Sequence, residues 1–548
     1  MEERTMYQRV KEVALAKPNY AAIYYQGTKI SYRKFLKRVD NMANILQCRL
    51  GVQKDDVVLI AQPNIPDVLT LIYAANKIGA IVNLVHPFIP FNQIKKIIKQ
   101  TNTKVAFLFE QRIAKEVEKY REMSTPVFVT RIEDDLPLFK KFVYHFFMNF
   151  KIRRKLGKWR GSFKGFKYLK DLKPVRGQEV VENNDGNKLS VLLHSGSTTG
   201  DPKTICLADR NFNAIADTAL EIMCCEKDTF KKGGFLSILP SFHGFGFCMT
   251  MHAPITNGFT VALCPKFDAK AIAKMMKHVN LTVICGVPTV FEHLLKCDEF
   301  IHSKYLKNVY VAYCGGDTIS ISLKKRFDDA MKAGGSNCQV FEGYGLTEAV
   351  AVNCVNTYAH NKPGSIGYPV SFAQIAILDD EGNELPAGQT GEIAIKSKTT
   401  MLGYWKDEEA TKATFRNGWL CTGDLGYKDE DGFIFFQQRK KRVVKVSGVA
   451  VFPTEVEHLV ETVPGVEAVC AIQIPDARLQ HALKLFVVAN FFDEEGMRNQ
   501  IMDTCRKYLI KWSVPKEIEF VKELPYTLLN KVDFKKLQDQ ENAKRGIK

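Results

Sequence analysis

Short apolar runs rich in β-branched residues punctuate the first 360 or so residues of the chain. "DVVLIAQP", "AIVNLVHP" and "KVAFLFE" come first, followed by "GFLSILP", "LTVICGVP", "NVYVAYCGG" and "QVFEGYG". Between them, apolar positions recur with a helical period. Buried strands joined by crossover helices predict layered α/β structure with parallel sheets. After about Lys362 the texture changes. "AQIAILDDEGNELPAGQTGEIAIKS" and "GYKDEDGFIFFQQR" alternate over short stretches and break at Gly/Asp turns, predicting a smaller β-rich, barrel-like unit. The charged string "QQRKKR" at 437–442 follows the last of these hairpins. Beyond it, "VVKVSG", "PTEVEHLVE", "VEAVCAIQI", "LKLFVVANF", "RNQIMDTCRKYL" and "EIEFV" predict a β-α-β-β-α-β-α unit that ends in a short helix. The expected fold is therefore α/β. A large N-terminal domain over 1–437 holds two layered α/β subdomains and the small β unit. A hinge at 438–441 leads to a small, mobile α+β domain over 442–548.

Composition adds little to this picture, and charge adds more. Apolar residues make up 46% and charged residues 25%, as in ordinary globular proteins, but the formal net charge is +17. Much of that charge sits in one insertion, about 136–170, which carries eleven Lys or Arg and no acid. Such a patch suits a membrane surface or nucleic acid. No recognised nucleic-acid module accompanies it, so nucleic acid is not an expected partner. The fourteen cysteines show neither CxxC pairs nor metal-ligand spacing, which points to a reducing compartment. The N-terminus lacks a signal-peptide core, and no run of roughly eighteen apolar residues suggests a membrane span. A cytoplasmic location is expected, with peripheral membrane contact through 136–170 as a hypothesis.

Chemistry is concentrated in "HSGSTTGDPKT" from position 194, a hydroxyl-rich loop directly after the strand-like "LSVLL". A strand breaking into such a loop aims N–H groups and hydroxyls at an anion, most often phosphate. It is not a P-loop. Gly200 is followed by Asp201-Pro202-Lys203, and the proline ring would obstruct the helix that a Walker loop feeds.

Instead the loop resembles the phosphate loop of the adenylate-forming (ANL) superfamily, which includes acyl-CoA synthetases, adenylation domains and firefly luciferase. Further motifs of that superfamily follow in order: "LPSFHGFGF" at 239–247, "YCGGD" at 313–317, "EGYGLTE" at 342–348 and "GSIGYP" at 364–369. Then come "GEIAIKS" with "GYW" at 403–405, "CTGDLGY" at 421–427, "QRKKRVVKVSG" at 438–448 and "LPYTLLNKVD" at 524–533. The resemblance implies activation of a carboxylic acid by ATP and Mg²⁺. A carboxylate is a poor electrophile until AMP is joined to it, and that step brings two anions together. Ser195, Ser197, Thr198, Thr199 and Gly200 would wrap the β/γ-phosphates, with Lys203 as charge partner. Glu348 would hold Mg²⁺ and Thr347 would meet the α-phosphate. Tyr344, between Gly343 and Gly345, would stack on adenine, and Gly316 and Asp317 would approach its edge. Asp424 would accept the ribose hydroxyls with help from Arg439. Lys531 would bridge substrate carboxylate and α-phosphate. Lys441 maps onto the pivot, with Lys445 and Gly448 on the face used for thioester formation. The sequence departs from the superfamily pattern at Gly196-Ser197, Thr204, Gln438 and Asn530, none of which removes a catalytic group.

An acyl pocket is expected from His243, Phe245, Phe247, Cys314, Gly315, Gly343 and Leu346, with His243 as gate or wall. These residues offer no carboxylate to an α-amino group, so a hydrophobic acid, most readily a fatty acid, is the expected substrate. Coenzyme A is the expected acceptor. Transfer to a separate carrier protein is the alternative reading, and an inactive membrane-surface scaffold is the second alternative.

Overall fold

Two large parallel sheets carry most of the chain in the computed structural model. The structure describes residues 3–547 except 115, 157–164, 196–202, 227–228, 231, 448, 477, 491–492 and 527–531; at 145, 148, 149 and 151–156 it describes the backbone alone. Ser197, Thr198, Thr199, Gly200, Gly448 and Lys531 therefore lie outside the described residues.

One sheet has nine strands, and its middle is parallel. Val340–Gly345, Val311–Gly315, Asn280–Gly286, Gly233–Ser237, Thr260–Leu263 and Ala21–Tyr25 run side by side. The other sheet has eight strands. Leu189–His194, Ile81–Leu84, Val57–Ala61, Thr103–Phe109, Val127–Thr130 and Lys167–Tyr168 are parallel, and Thr204–Ala208 returns antiparallel to Leu189–His194. Such strands are buried on both faces, which is why their sequences read as continuous apolar runs rather than alternations.

Helices fill the space between the sheets. Pro66–Lys77 is buried nearly all round, from Pro66 to Asn76 with the exception of Asp67, as its almost wholly apolar sequence requires. Asn76 makes one of the few polar ties in this layer. Its Nδ2 donates to both oxygens of Asp209 at 2.8 and 2.9 Å, and its Oδ1 accepts from Tyr7 N–H at 2.8 Å. Three helices, Met6–Ala16, Pro66–Lys77 and Asp209–Ile222, are thereby fixed to one another. Burial pushes the Asp209 carboxyl up to about 6 despite these donors.

A five-stranded antiparallel sheet follows, built from Ala373–Leu378, Gly391–Ser397, Phe415–Arg416, Trp419–Lys428 and Ile434–Arg439. This is the β-rich unit expected from the Gly/Asp turns. In the C-terminal region "VVKVSG" forms a hairpin, Val444–Val446 with Val449–Val451, which adds one strand to the expected β-α-β-β-α-β-α order. Val466–Asp476, Gln480–Ala489 and Glu517–Phe520 make the three-stranded sheet, flanked by helices Pro453–Glu461, Glu494–Tyr508 and Phe534–Lys544. Lys484, only 8% exposed, ties this unit together through Glu519 at 2.8 Å and Glu541 at 2.9 Å.

Where the two regions join, the chain is held on both sides of one residue. Lys440 Nζ pairs with Asp380 at 2.7 Å and Glu392 at 3.3 Å in the antiparallel sheet. Arg442 pairs with Glu457 and donates to the carbonyl of Ala471 at 3.1 Å in the C-terminal unit. Lys441 sits exposed between these anchors.

Candidate active site

The candidate site lies where loops leave the C-terminal ends of the parallel strands, the usual place for ligands in α/β sheets. Leu189–His194 ends in the phosphate-loop candidate. His194 Nε2 lies 2.8 Å from Asn83 Oδ1, and its Nδ1 lies 3.3 Å from the Thr204 hydroxyl. Burial drives its pKa down to about 4, so the imidazole is neutral near pH 7 and serves as a fixed polar strut. Ser195 and Lys203 close the neck of the loop. Ser195 N–H donates to the Lys203 carbonyl at 2.9 Å, and Lys203 N–H donates to Ser195 Oγ at 3.0 Å. The Ser195 hydroxyl thus has a structural task in addition to the phosphate contact expected of it.

The signature segment 343–348 supplies a second wall. Gly343 pairs with Gly315 of the neighbouring strand, and the Phe245 ring packs against Gly315. A Cβ on Gly315 would come within 3.2 Å of that ring, so the aromatic wall depends on glycine there. Thr347–Ala349 forms one 3₁₀ turn, and Val350 follows at φ 61°, ψ −67°, with Ala351 N–H donating back to Ala349 at 2.7 Å. This is a γ-turn centred on a β-branched residue, a conformation that costs on the order of 1–3 kcal/mol. Its neighbours hold it in place. A Cβ on Gly345 would overlap the carbonyl of Ala351, and one on Gly244 would overlap the carbonyl of Val350. The 243–245 segment is therefore pressed directly onto the turn that carries Thr347 and Glu348.

Two polar constellations flank this turn. At one end, Tyr344 Oη donates to Asp424 Oδ2 at 2.7 Å, and Arg439 Nε lies 3.3 Å from Asp424 Oδ1. Asp424 and Arg439 face each other across paired strands, the carboxylate 3% exposed and the guanidinium largely in solvent. At the other end, Tyr404 Oη donates to Glu348 Oε1 at 3.1 Å, and Lys203 Nζ sits 4.3 Å above the Tyr404 ring. Burial and the Glu348 charge raise the Tyr404 phenol well above its ordinary value, so it is a committed donor. Tyr404 reaches this place because Gly403–Tyr404 pairs antiparallel with Thr204–Ala208, directly after the phosphate loop. Sequence reasoning quoted "GYW" but gave this tyrosine no role, although its position after "GEIAIKS" was the available signal.

Two residues expected in the acyl pocket lie elsewhere. Phe247 is fully buried against Phe212, with ring centroids 5.2 Å apart, because residues two apart on a helix point to opposite sides. Cys314 is 2% exposed among the helices behind the sheet, since strand alternation sends it away from its neighbour Gly315. His243, Phe245 and Leu346 are half-buried at the expected wall. Gly316 takes φ 80°, and Asp317 Oδ1 accepts from Thr318 N–H at 3.0 Å. In the C-terminal unit burial raises both Tyr526 and Glu461, the latter up to about 7 with the Glu457 charge adding to it, and the charge of Asp317 contributes to both. Tyr526 and Val532, which flank 527–531, pair in an antiparallel bridge. Lys445 is exposed on the hairpin.

The model of the AMP-binding enzyme family matches residues 10–405, and the model of the AMP-binding enzyme C-terminal domain matches 455–531. The chain belongs to the AMP-binding enzyme family. It is 29% identical over 551 residues to a long-chain-fatty-acid–CoA ligase of Bacillus subtilis strain 168, covering 100% of this chain and 96% of that one. A long-chain-fatty-acid–CoA ligase of Escherichia coli O6:H1 is 29% identical over 537 residues, covering 95% and 92%. In three dimensions the chain superimposes on the anthranilate CoA ligase AuaEII in complex with anthranoyl-AMP. The TM-score is 0.84 at 21% identity, with 99% of this chain and 98% of that one covered. The adenylate-forming resemblance read from the motifs is thereby established, as is the layered α/β fold with its smaller C-terminal domain.

Adenylate-forming ligases of this kind use ATP, Mg²⁺ and coenzyme A. Among the described residues no group of three His, Cys, Asp or Glu side chains could enclose a metal. Mg²⁺ keeps its waters and substrate phosphates and needs only one or two carboxylates. Glu348, held by Tyr404, is the carboxylate that fits.

Two predictions follow the geometry. Tyr404→Phe keeps the ring beneath Lys203 but frees Glu348. A hydrogen bond to a charged group is worth about 1.5–3 kcal/mol, so ATP–pyrophosphate exchange should fall roughly ten- to hundredfold with the fold intact. Unchanged exchange would remove Tyr404 from the site. For His194, the unfolded chain gains a proton below about 6.5 that the folded state refuses until about 4, so stability falls as pH drops through that window. His194→Gln should lose this component, up to about 3 kcal/mol at pH 4, as read from urea unfolding at several pH values. Equal pH slopes for the two proteins would contradict it.

Proposed function

We propose that the protein joins a hydrophobic carboxylic acid, a fatty acid foremost, to AMP from ATP, releasing pyrophosphate, and then passes the acyl group to coenzyme A with release of AMP. The observation that carries this reading is the short segment from Tyr344 to Glu348. Its ends bond to Asp424 and Tyr404, and its flank is pressed against the apolar wall of Phe245 and Gly315. A nucleotide laid along it would place its α-phosphate beside Thr347 and next to an acid bound at that wall. The names of the full-length relatives point to the same class of acid.

Adenylation must overcome repulsion between the acid and the triphosphate, and Lys531 is proposed to do so. The match of the AMP-binding enzyme C-terminal domain model, which runs to residue 531, supports this. Domains at 1–437 and 442–548 with a hinge at 438–441 belong to the same proposal. The anchors on Lys440 and Arg442 leave Lys441 as the natural pivot, about which the smaller domain would turn to present Lys445 and Gly448 for the thiol step. Peripheral membrane contact through 136–170 completes the reading as the source of a poorly soluble acid.

Lys531→Ala should slow acyl-adenylate formation by roughly 10²–10³-fold while leaving ATP affinity nearly unchanged, judged by the loss of one transition-state donor. Equal loss of binding and rate would count against its assigned role. Pyrophosphate release across acids of different chain length, with coenzyme A present or withheld, tests the whole reading. Multiple turnovers that require both a long-chain acid and coenzyme A are expected. A single turnover with every acid, whatever the thiol, would favour a carrier-protein acceptor instead.

A further inference from the structure

The helix Leu138–Leu156 follows the 3₁₀ turn Ile132–Asp135, and it is built inside out. Its polar residues hold it to the protein. Lys140 Nζ donates to the Gln26 carbonyl at 2.9 Å, and Lys141 Nζ donates to the Asp134 carbonyl at 3.4 Å. Tyr144 Oη accepts from Gln111 Nε2 at 3.5 Å. At about 100° per residue these three positions share one side of the helix. The opposite side carries Phe139, Phe142, Phe146 and Phe150, which are 60–80% exposed. A surface helix normally turns its aromatic stripe to the core and its lysines to water. Here the anchoring is reversed, and a contiguous apolar patch of this kind marks an interaction surface.

The geometry points to an anionic lipid bilayer as the occupant, with the helix lying in the plane of the interface. This deepens the membrane contact proposed above and rests on that reading only for its purpose, the supply of acid. Charge makes the choice among occupants. From Lys151 to Lys170 the chain carries nine Lys or Arg and no acid. Phenylalanines entering the acyl boundary beside cations at the headgroups is how amphipathic segments hold anionic membranes. A second copy docked face to face would bring two such cationic segments together at a cost. No helix among the described residues is long and apolar enough to cross the membrane, so the contact is superficial.

The test uses the full-length protein and sedimentation with phosphatidylcholine vesicles, with and without phosphatidylglycerol. The wild type should pellet with the anionic vesicles, less so at high salt. The variant Phe139→Ser/Phe142→Ser/Phe146→Ser should bind at least ~10-fold more weakly, with unchanged pyrophosphate exchange on a water-soluble acid. Because those side chains are exposed, folding is not at stake, and Leu138→Ser/Phe150→Ser, 87% and 60% exposed, provides an independent second variant. Equal binding by wild type and both variants would overturn the inference, as would no preference for anionic lipid. So would a wild-type dimer in sedimentation velocity that the substitutions dissolve, since a second copy would then cover the face. Vesicle binding without acid activation would refute the proposed reaction and leave this inference standing; the reverse outcome would refute this inference alone.

Discussion

The site depends on backbone segments that approach one another more closely than side chains would permit. Gly244 lies on the carbonyl of Val350, Gly345 on that of Ala351, and Gly315 against both Gly343 and the Phe245 ring. These contacts fix a strained turn, and the turn fixes Thr347 and Glu348. A methyl group at Gly244 or Gly345 would force its neighbours and the 347–350 turn apart. Strain at Val350 is therefore tolerated because the packing around it leaves no relaxed alternative.

Around that turn the electrostatics are arranged in pairs. Asp424 and Glu348 each have a phenolic donor, Tyr344 and Tyr404 respectively. Both phenols are pushed upward by burial and by their partner's charge, so they stay protonated and keep the carboxylates oriented. Arg439 and Lys203 add positive charge from more exposed positions, where screening weakens it but a triphosphate can still reach it. The arrangement is preorganised before any anion arrives, which is the condition under which fixed dipoles stabilise developing charge.

At the larger scale, the two parallel sheets and the helices between them form a continuous core, whereas the C-terminal unit has a core of its own. Lys440 and Arg442 secure the two sides of Lys441. The outward-facing phenylalanine helix is a third element, held by polar contacts and available to a partner outside the protein.

Much of the architecture could be read directly from the chain. Apolar runs without alternation specify strands buried on both faces, and Gly/Asp turns between alternating runs specify an antiparallel sheet, because each period matches one hydrogen-bonding geometry. The order of the motifs likewise identified the family, since each residue type answers a chemical need at its place along the chain. Sequence adjacency could not say which way a side chain points once a strand or helix is packed. Phe247, two residues from Phe245, and Cys314, next to Gly315, both face the core, whereas Tyr404 comes from 56 residues away to hold Glu348. Nor could the basic, aromatic composition of 136–170 reveal that Lys140 and Lys141 bind the body while Phe139, Phe142, Phe146 and Phe150 meet the solvent. Direction and proximity are set by the neighbours that a residue acquires on folding, and those neighbours come from distant parts of the chain.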